Sequence, residues 1–170
     1  MKLYFVGMPG SGKSTIGKKV AKELKLDFYD LDKVIVKKEG KSISEIFQEN
    51  GEDFFRELEA KYLKELTEKK GTFVLACGGG TPCHYNNMDL MNKSGMTIYL
   101  EMSNEAVLAR VKQSDNKRPL FANQSDEEML ETITKLANQR IPFYQKAQLS
   151  YSALDFKLEK FFDKLFEALK

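Results

Sequence analysis

The 170-residue sequence has no tryptophan, one histidine and two cysteines, and none of its apolar runs is long. A membrane-spanning helix needs roughly 20 consecutive apolar residues, so we expect no membrane segment. A strand predicted at the N-terminus excludes a signal peptide there and favours a cytoplasmic location. Cys77 and Cys83 lack the spacing of a metal site. Buried free thiols in a reducing compartment are a better interpretation than a disulfide or redox pair.

Neither sign of charge dominates, since 27 basic and 25 acidic residues leave a formal net charge of +2. Lys and Arg never form a run of more than two residues, so we expect neither a nucleic-acid nor a membrane partner. The hydrophobic content of 42% and the charged content of 31% are typical of soluble globular proteins. The length favours a single domain over residues 1–170.

Residues 7–14 read Gly-Met-Pro-Gly-Ser-Gly-Lys-Ser, which matches the phosphate-binding P-loop pattern G-x-x-x-x-G-K-S. A Gly-rich turn could match by chance, but a predicted strand precedes this segment and a helical pattern follows it, as the motif requires. In such a loop Lys13 contacts the β- and γ-phosphates of a nucleotide and the Ser14 hydroxyl ligates Mg²⁺. The nucleotide-binding residues predicted from the motif are Gly10, Ser11, Gly12, Lys13, Ser14 and Thr15.

Apolar runs alternate with helical patterns along the chain, which predicts an α/β fold with a parallel sheet covered on both faces. The predicted strands are 3–6, 27–30, 72–76, 96–100 and 149–153, and the predicted helices are 13–24, 31–39, 42–50, 52–69, 86–93, 103–111, 125–147 and 155–169. The helices between strands two and three exceed what a crossover needs, so we interpret residues 31–62 as a substrate-binding insertion. Residues 112–124 are polar without a hydrophobic period, which predicts a mobile loop.

Two acidic residues and a glycine run follow predicted strands, at the edge of the sheet where ligands bind in α/β folds. Asp30 and Asp32 are candidates for magnesium or substrate binding, although either could instead cap the next helix. Gly78-Gly79-Gly80 exposes bare backbone to a ligand, although a tight turn is an equally good explanation.

Arginines and the single histidine are further candidates for chemistry. Arg56, Arg118 and Arg140 could bind a carboxylate or phosphate through two hydrogen bonds, but each could also be a solvated surface charge. Arg110 could cover a nucleotide base or lie on the surface. His84 could act as a base, but a surface position in a loop is the better interpretation.

In combination, these motifs resemble the shikimate kinases, a family with the nucleoside-monophosphate-kinase-like P-loop fold. The resemblance covers about residues 2–145. It depends on ordered motifs, namely Asp30-x-Asp32, Gly51-Glu52 followed by Phe55-Arg56 and Glu59, Gly78-Gly79-Gly80, Arg118-Pro119-Leu120, and Arg140-x-Pro142-x-Tyr144.

The resemblance implies a monomeric kinase of the chorismate pathway to aromatic amino acids, which transfers the γ-phosphate of ATP to the 3-hydroxyl of shikimate and requires Mg²⁺. It implies a three-layer αβα fold with a five-stranded parallel sheet in the order 2-3-1-4-5. The implied catalytic residues are Lys13, Asp32 and Arg118, and the implied shikimate-binding residues are Asp32, Arg56, Gly78, Gly79, Gly80 and Arg140. Ser14 and Asp30 would serve Mg²⁺, and residues 112–124 would be a lid that brings Arg118 onto the phosphates.

The sequence departs from the family pattern at two places. Val36 stands where the family often has Glu, and residues 150–153, Ser-Tyr-Ser-Ala, replace the usual Asp-Thr loop beside adenine. The alternatives are another small-molecule P-loop kinase, such as gluconate kinase, or a nucleotide-dependent binding module. The segments around Arg56 and Arg140 favour shikimate.

Overall fold

The computed structural model describes residues 1–113, 121 and 123–170. Its centre is a five-stranded sheet in the order β2-β3-β1-β4-β5, and each pairing between neighbouring strands is parallel. The strands are β1 Lys2–Val6, β2 Asp27–Asp30, β3 Phe73–Ala76, β4 Met96–Glu101 and β5 Leu149–Ser152. The predicted strand order and parallel pairing are confirmed.

Helices cover both faces of the sheet. They are α1 Lys13–Leu24, α2 Leu31–Glu39, α3 Ile43–Glu68, α4 Asn87–Ser94, α5 Asn104–Gln113, α6 Asp126–Tyr144 and α7 Leu158–Ala168, with a 3₁₀ turn at Thr81–Cys83. None of the described helices is long and apolar enough to cross a membrane.

The alternation of side chains along β1 explains the three layers, because successive residues of a strand point to opposite faces. Leu3 and Phe5 pack in a cluster with α1 and α7, whereas Tyr4 and Val6 pack in a second cluster with α2 to α6. All four side chains are fully buried. The central strand is therefore apolar and buried from Leu3 to Val6, as expected for a parallel strand covered on both faces.

α3 contains a break at Gly51, whose backbone (φ 82°, ψ 178°) is not helical. The sequence predicts two helices that meet at this glycine, and the structure joins them into one kinked helix. A positive φ is unfavourable for residues with a side chain, which explains why glycine occupies the kink. The kink separates the helical segment that begins at Ile43 from the segment that carries Arg56.

Other predicted boundaries need correction near the C-terminus. α7 begins at Leu158, three residues later than predicted, because the Ser152 side chain accepts a hydrogen bond from Asp155 N (3.4 Å) and forms a local turn. Leu169 ends the predicted helix 155–169, but in the structure it follows the last residue of α7 and is 43% exposed. α6 ends at Tyr144 rather than near Ala147, and the 3₁₀ turn was not predicted.

Capping boxes begin α3 at Ser42 and α6 at Ser125. Ser42 Oγ accepts a hydrogen bond from Glu45 N (3.2 Å), and Glu45 Oε2 accepts one from Ser42 N (2.7 Å). These bonds satisfy N–H groups that have no partner within the helix.

We predict that Ser42→Ala lowers the free energy of unfolding by about 1 kcal/mol, because the first turn of α3 loses its cap. Ser44→Ala is the matched control, since Ser44 is exposed inside the same turn and its replacement should change stability by less than about 0.5 kcal/mol. Urea unfolding measures both values. Equal effects of the two substitutions would contradict a capping role for Ser42.

Candidate active site

The P-loop connects β1 to α1, and its shape depends on glycine. Gly7 has a φ of 146°, and a Cβ there would lie 2.8 Å from the Leu100 carbonyl oxygen, so a side chain is excluded. Gly12, with a φ of 86°, is the N-cap of α1. The N–H groups at the start of α1 therefore face the loop, which is the usual arrangement for binding phosphate.

Lys13 lies inside this loop and is only 9% exposed. Its Nζ donates hydrogen bonds to the carbonyl oxygens of Gly7 (2.9 Å) and Met8 (2.8 Å). The Ser11 hydroxyl is buried and has no hydrogen-bond partner among the described residues. Buried polar groups normally have partners, and a water or a phosphate oxygen in the loop would supply one. The loop therefore fits a polyphosphate ligand.

Ser14 and Asp30 form the candidate magnesium site. Ser14 Oγ donates a hydrogen bond of 2.6 Å to Asp30 Oδ2, while Asp30 Oδ1 accepts a longer one from Lys33 N (3.4 Å) and caps α2. Asp30 therefore caps α2 and also contacts Ser14 of the P-loop. No cluster of three or more His, Cys, Asp or Glu that could hold a metal occurs among the described residues. Mg²⁺ usually takes few protein oxygens and completes its shell with substrate phosphates and water, so this pair fits Mg²⁺ bound with ATP.

Gly78-Gly79-Gly80 follows β3, beside the P-loop. The space that a side chain at Gly78 would need is filled by two carboxylates. A Cβ there would lie 2.6 Å from Glu59 Oε1 and 3.3 Å from Asp32 Oδ1. Glycine at this position therefore allows α2 and α3 to bring both acids to the end of the sheet.

Arginines fill the space beside the other two glycines. A Cβ on Gly79 would lie 2.9 Å from Arg140 Nη1 and 3.1 Å from the Pro9 ring, and a Cβ on Gly80 would overlap the Arg56 guanidinium. The structure thus brings Arg56 and Arg140 to one short loop, although they are far apart in sequence.

The two arginines differ in their partners. Arg56 is 8% exposed and donates to Glu59 (2.7 Å) and to Glu52 (2.8 Å). Arg140 has no carboxylate within ion-pairing distance in the described part of the chain. The positive charge of Arg56 is therefore balanced by protein carboxylates, whereas that of Arg140 remains available to an anion.

Glu59 joins α3 to the turn that follows the three glycines, although no role was predicted for it from the sequence. It is 1% exposed, pairs with Arg56 and accepts a hydrogen bond from the Thr81 hydroxyl, while Asn87 Nδ2 donates to the Thr81 carbonyl oxygen (2.9 Å). The spacing of Glu52, Arg56 and Glu59 indicates that they lie on one face of a helix, because residues three and four apart in a helix are neighbours. The contact with Thr81 spans 22 residues and had no local signal.

His84 and Cys83 lie at the edge of the same loop. Burial and the neighbouring Arg56 and Arg140 lower the pKa of His84, which is half-buried rather than simply on the surface. Burial raises the pKa of the Cys83 thiol to about 11. Cys83 is half-buried and Cys77 is buried, and both thiols are free.

The remaining predicted residues lie on the nucleotide side or outside the described chain. Thr15 is exposed in the first turn of α1. Arg110 is exposed on α5. A Cβ on Gly10 would lie 3.3 Å from the Cβ of Arg110, so this arginine lies beside the P-loop. Arg118, the predicted lid residue, lies outside the described residues.

Comparisons with known proteins identify the family of the chain. A family model described as shikimate kinase matches residues 9–170. The shikimate kinase of Phocaeicola vulgatus is 41% identical over 152 residues, which cover 89% of this chain and 86% of that protein. The shikimate kinase of Sulfurihydrogenibium sp. is 40% identical over 151 residues, which cover 89% of this chain and 87% of that protein.

Solved structures give the same result. A crystal structure of shikimate kinase from Bacteroides thetaiotaomicron has a TM-score of 0.91 at 35% identity, and the alignment covers 99% of this chain and 98% of that chain. Shikimate kinase from Acinetobacter baumannii in complex with shikimate has a TM-score of 0.86 at 32% identity, with 99% and 94% coverage. The chain belongs to the shikimate kinase family and is an ATP- and Mg²⁺-dependent kinase with the P-loop kinase fold.

Proposed function

We propose that the chain transfers the γ-phosphate of ATP to the 3-hydroxyl of shikimate and that the side chains around Gly78-Gly79-Gly80 bind this acid. One observation carries the assignment of the site. Gly79 lies between Arg140 and Pro9 of the P-loop, so an anion on the arginine would lie beside the phosphate-binding loop. An acceptor acid and a phosphate donor can therefore occupy neighbouring positions, as in-line transfer requires.

Asp32 would orient the attacking hydroxyl and accept its proton, since its carboxylate lies beside Gly78 at the same end of the sheet. Lys13 would leave its loop carbonyl partners and stabilise negative charge on the phosphate oxygens as the bond to the leaving group breaks. Mg²⁺, when bound with ATP, neutralises phosphate charge. Ser14 and Asp30 would hold it, because they present a hydroxyl and a carboxylate beside the P-loop.

The two arginines would contribute to binding the substrate carboxylate in different ways. Arg140 would supply the net charge that attracts the carboxylate, because it has no ion-pair partner among the described residues. Arg56 would supply oriented donors, because Glu52 and Glu59 hold its guanidinium in place. A fixed guanidinium loses little entropy on binding, which favours affinity for a small ligand.

We also propose a single domain over residues 1–170, with residues 31–62 as the substrate-binding region and residues 112–124 as a lid that delivers Arg118. Of this segment, only residues 112, 113, 121, 123 and 124 are described, and Phe121 is buried despite the polar character of the segment. We further infer a cytoplasmic monomer. The two free thiols support a reducing compartment.

We predict that the purified protein releases ADP from ATP in the presence of Mg²⁺ and shikimate, and that Lys13→Ala lowers kcat by about 10²-fold or more. Lys19→Ala is the control, because Lys19 is exposed on the same helix. A coupled ADP assay measures both. No release above the shikimate-free background would refute the activity, and an unchanged kcat in Lys13→Ala would refute the role of Lys13.

The two arginines should respond differently to substitution. Arg140→Ala should raise the KM for shikimate by about 10- to 100-fold with little loss of stability, because a charge-assisted hydrogen bond is worth about 1.5–3 kcal/mol. Arg56→Ala should also lower the free energy of unfolding by about 3–5 kcal/mol, because it leaves the buried Glu59 unpaired.

Kinetics and urea unfolding separate these effects. Adding Glu59→Gln to Arg56→Ala should restore much of the stability but not the affinity for shikimate. Lys135→Ala, at an exposed position on α6, should leave both quantities unchanged. If Arg140→Ala weakened ATP binding and left shikimate binding intact, the assignment of Arg140 would be wrong.

For the lid we predict from the sequence that Arg118→Ala depresses kcat by about 10²-fold and changes the shikimate KM much less, because its contact would strengthen in the transition state. Arg118→Lys should recover part of the rate, since it restores the charge without the planar fork. We expect hydrogen exchange across residues 112–124 to slow when nucleotide and shikimate are both bound. Equal exchange with and without the ligands would rule out closure.

A further inference from the structure

The carbonyl oxygens of Gly78, Gly79 and Gly80 are all paired, but not in the same way. The Gly78 oxygen accepts from Thr81 N (3.2 Å) and the Gly80 oxygen from Cys83 N (3.0 Å), both within the local turn. The Gly79 oxygen instead accepts from the hydroxyl of Tyr144, at 2.5 Å, across 65 residues of sequence. The middle carbonyl of the loop is therefore held by a side chain of another element.

Tyr144 is itself rigidly placed. It is the last residue of α6, it is fully buried, and its ring packs on Tyr99 with centroids 5.2 Å apart. Its hydroxyl also lies 3.9 Å from the sulfur of Met8 in the P-loop. Burial raises the pKa of Tyr144, while Arg140, one turn earlier on α6, acts in the opposite direction. The hydroxyl therefore keeps its proton near neutral pH and serves as the donor.

The bond to Gly79 also controls the next N–H group. The Gly79 carbonyl and the Gly80 N–H belong to one planar trans peptide, so they point in opposite directions. Glycine on both sides of this peptide would otherwise allow it to rotate as a unit, because glycine has few forbidden backbone angles. Fixing the oxygen on Tyr144 therefore fixes the N–H on the side away from Tyr144.

That N–H group is available to a ligand. The backbone N–H groups of Gly79 and Gly80 donate to no protein acceptor in the described part of the chain. The Arg56 guanidinium lies directly against Gly80, and Arg140 lies against Gly79. An N–H group that is already fixed before a small acid binds gives higher affinity, because ordering the group during binding would cost free energy.

We propose that Tyr144 is a positioning residue, whose hydroxyl locks the Gly79–Gly80 peptide so that the Gly80 N–H stays directed at the acid substrate. The proposal rests on the assignment of the acid site made above. It gives the Arg140-x-Pro142-x-Tyr144 segment two functions on one helix end, because Arg140 provides charge and Tyr144 orders the backbone beside it.

The test is Tyr144→Phe, which removes only the hydroxyl. We expect the KM for shikimate to rise roughly three- to tenfold, the size of one lost hydrogen bond, with the KM for ATP unchanged and kcat within about twofold of wild type. Tyr4→Phe is the matched control. Tyr4 is also fully buried, and its hydroxyl shares a hydrogen bond with Ser94 Oγ (2.8 Å), but near Gly95 and the start of β1, at the end of the sheet opposite the P-loop.

NMR of the protein without ligands supplies a readout that does not depend on catalysis. Relaxation dispersion at the Gly80 amide should be flat in wild type and in Tyr4→Phe, and should show exchange in Tyr144→Phe, since rotation of the peptide is then allowed. Flat dispersion at Gly80 in soluble Tyr144→Phe would overturn the lock, and so would an unchanged shikimate KM or an equal rise in both KM values. Exchange at Gly80 in a protein that does not phosphorylate shikimate would support the lock and refute the assigned substrate.

Discussion

The close packing of charged side chains against the bare backbone of Gly78-Gly79-Gly80 is the constraint on which the proposed acid site depends. Glu59, Arg140 and Arg56 each occupy space that a Cβ at one of these glycines would need. A single methyl group there would displace a charged group that is held by hydrogen bonds. The loop therefore lets α3 and α6 direct these side chains to one point at the end of the sheet, beside the P-loop.

Charge balance then decides what this point can bind. Burying Arg56 and Glu59 together is tolerable because each compensates the other, whereas either charge alone would be costly in such an environment. Arg140 adds a positive charge that has no carboxylate within ion-pairing distance among the described residues. An anionic group is therefore favoured next to Arg140, beside a loop suited to phosphate. The same arrangement explains why an acid with a hydroxyl group is a suitable phosphate acceptor here.

The sequence was sufficient to predict those features that depend on neighbouring residues. The P-loop and the strand order are confirmed, because each follows from a local pattern or from the family that the ordered motifs resemble. The contacts of Glu59 with Thr81 and of Tyr144 with Gly79 were not predicted, since they join residues 22 and 65 positions apart and depend on how helices pack. The role of Arg118 stays a prediction, because this residue lies outside the described chain.

The distant contacts also join the two halves of the site. A Cβ on Gly79 would lie 3.1 Å from the Pro9 ring, and the Tyr144 hydroxyl lies between the Gly79 oxygen and the Met8 sulfur, so the P-loop and the loop Gly78-Gly79-Gly80 are neighbours. Close-packed interiors transmit small displacements, because no void is available to absorb them. A shift of the P-loop around a nucleotide would therefore reach the Gly79–Gly80 peptide directly. The two loops therefore meet through the Pro9 ring and the Tyr144 hydroxyl, which are the contacts that a displacement of either loop would meet first.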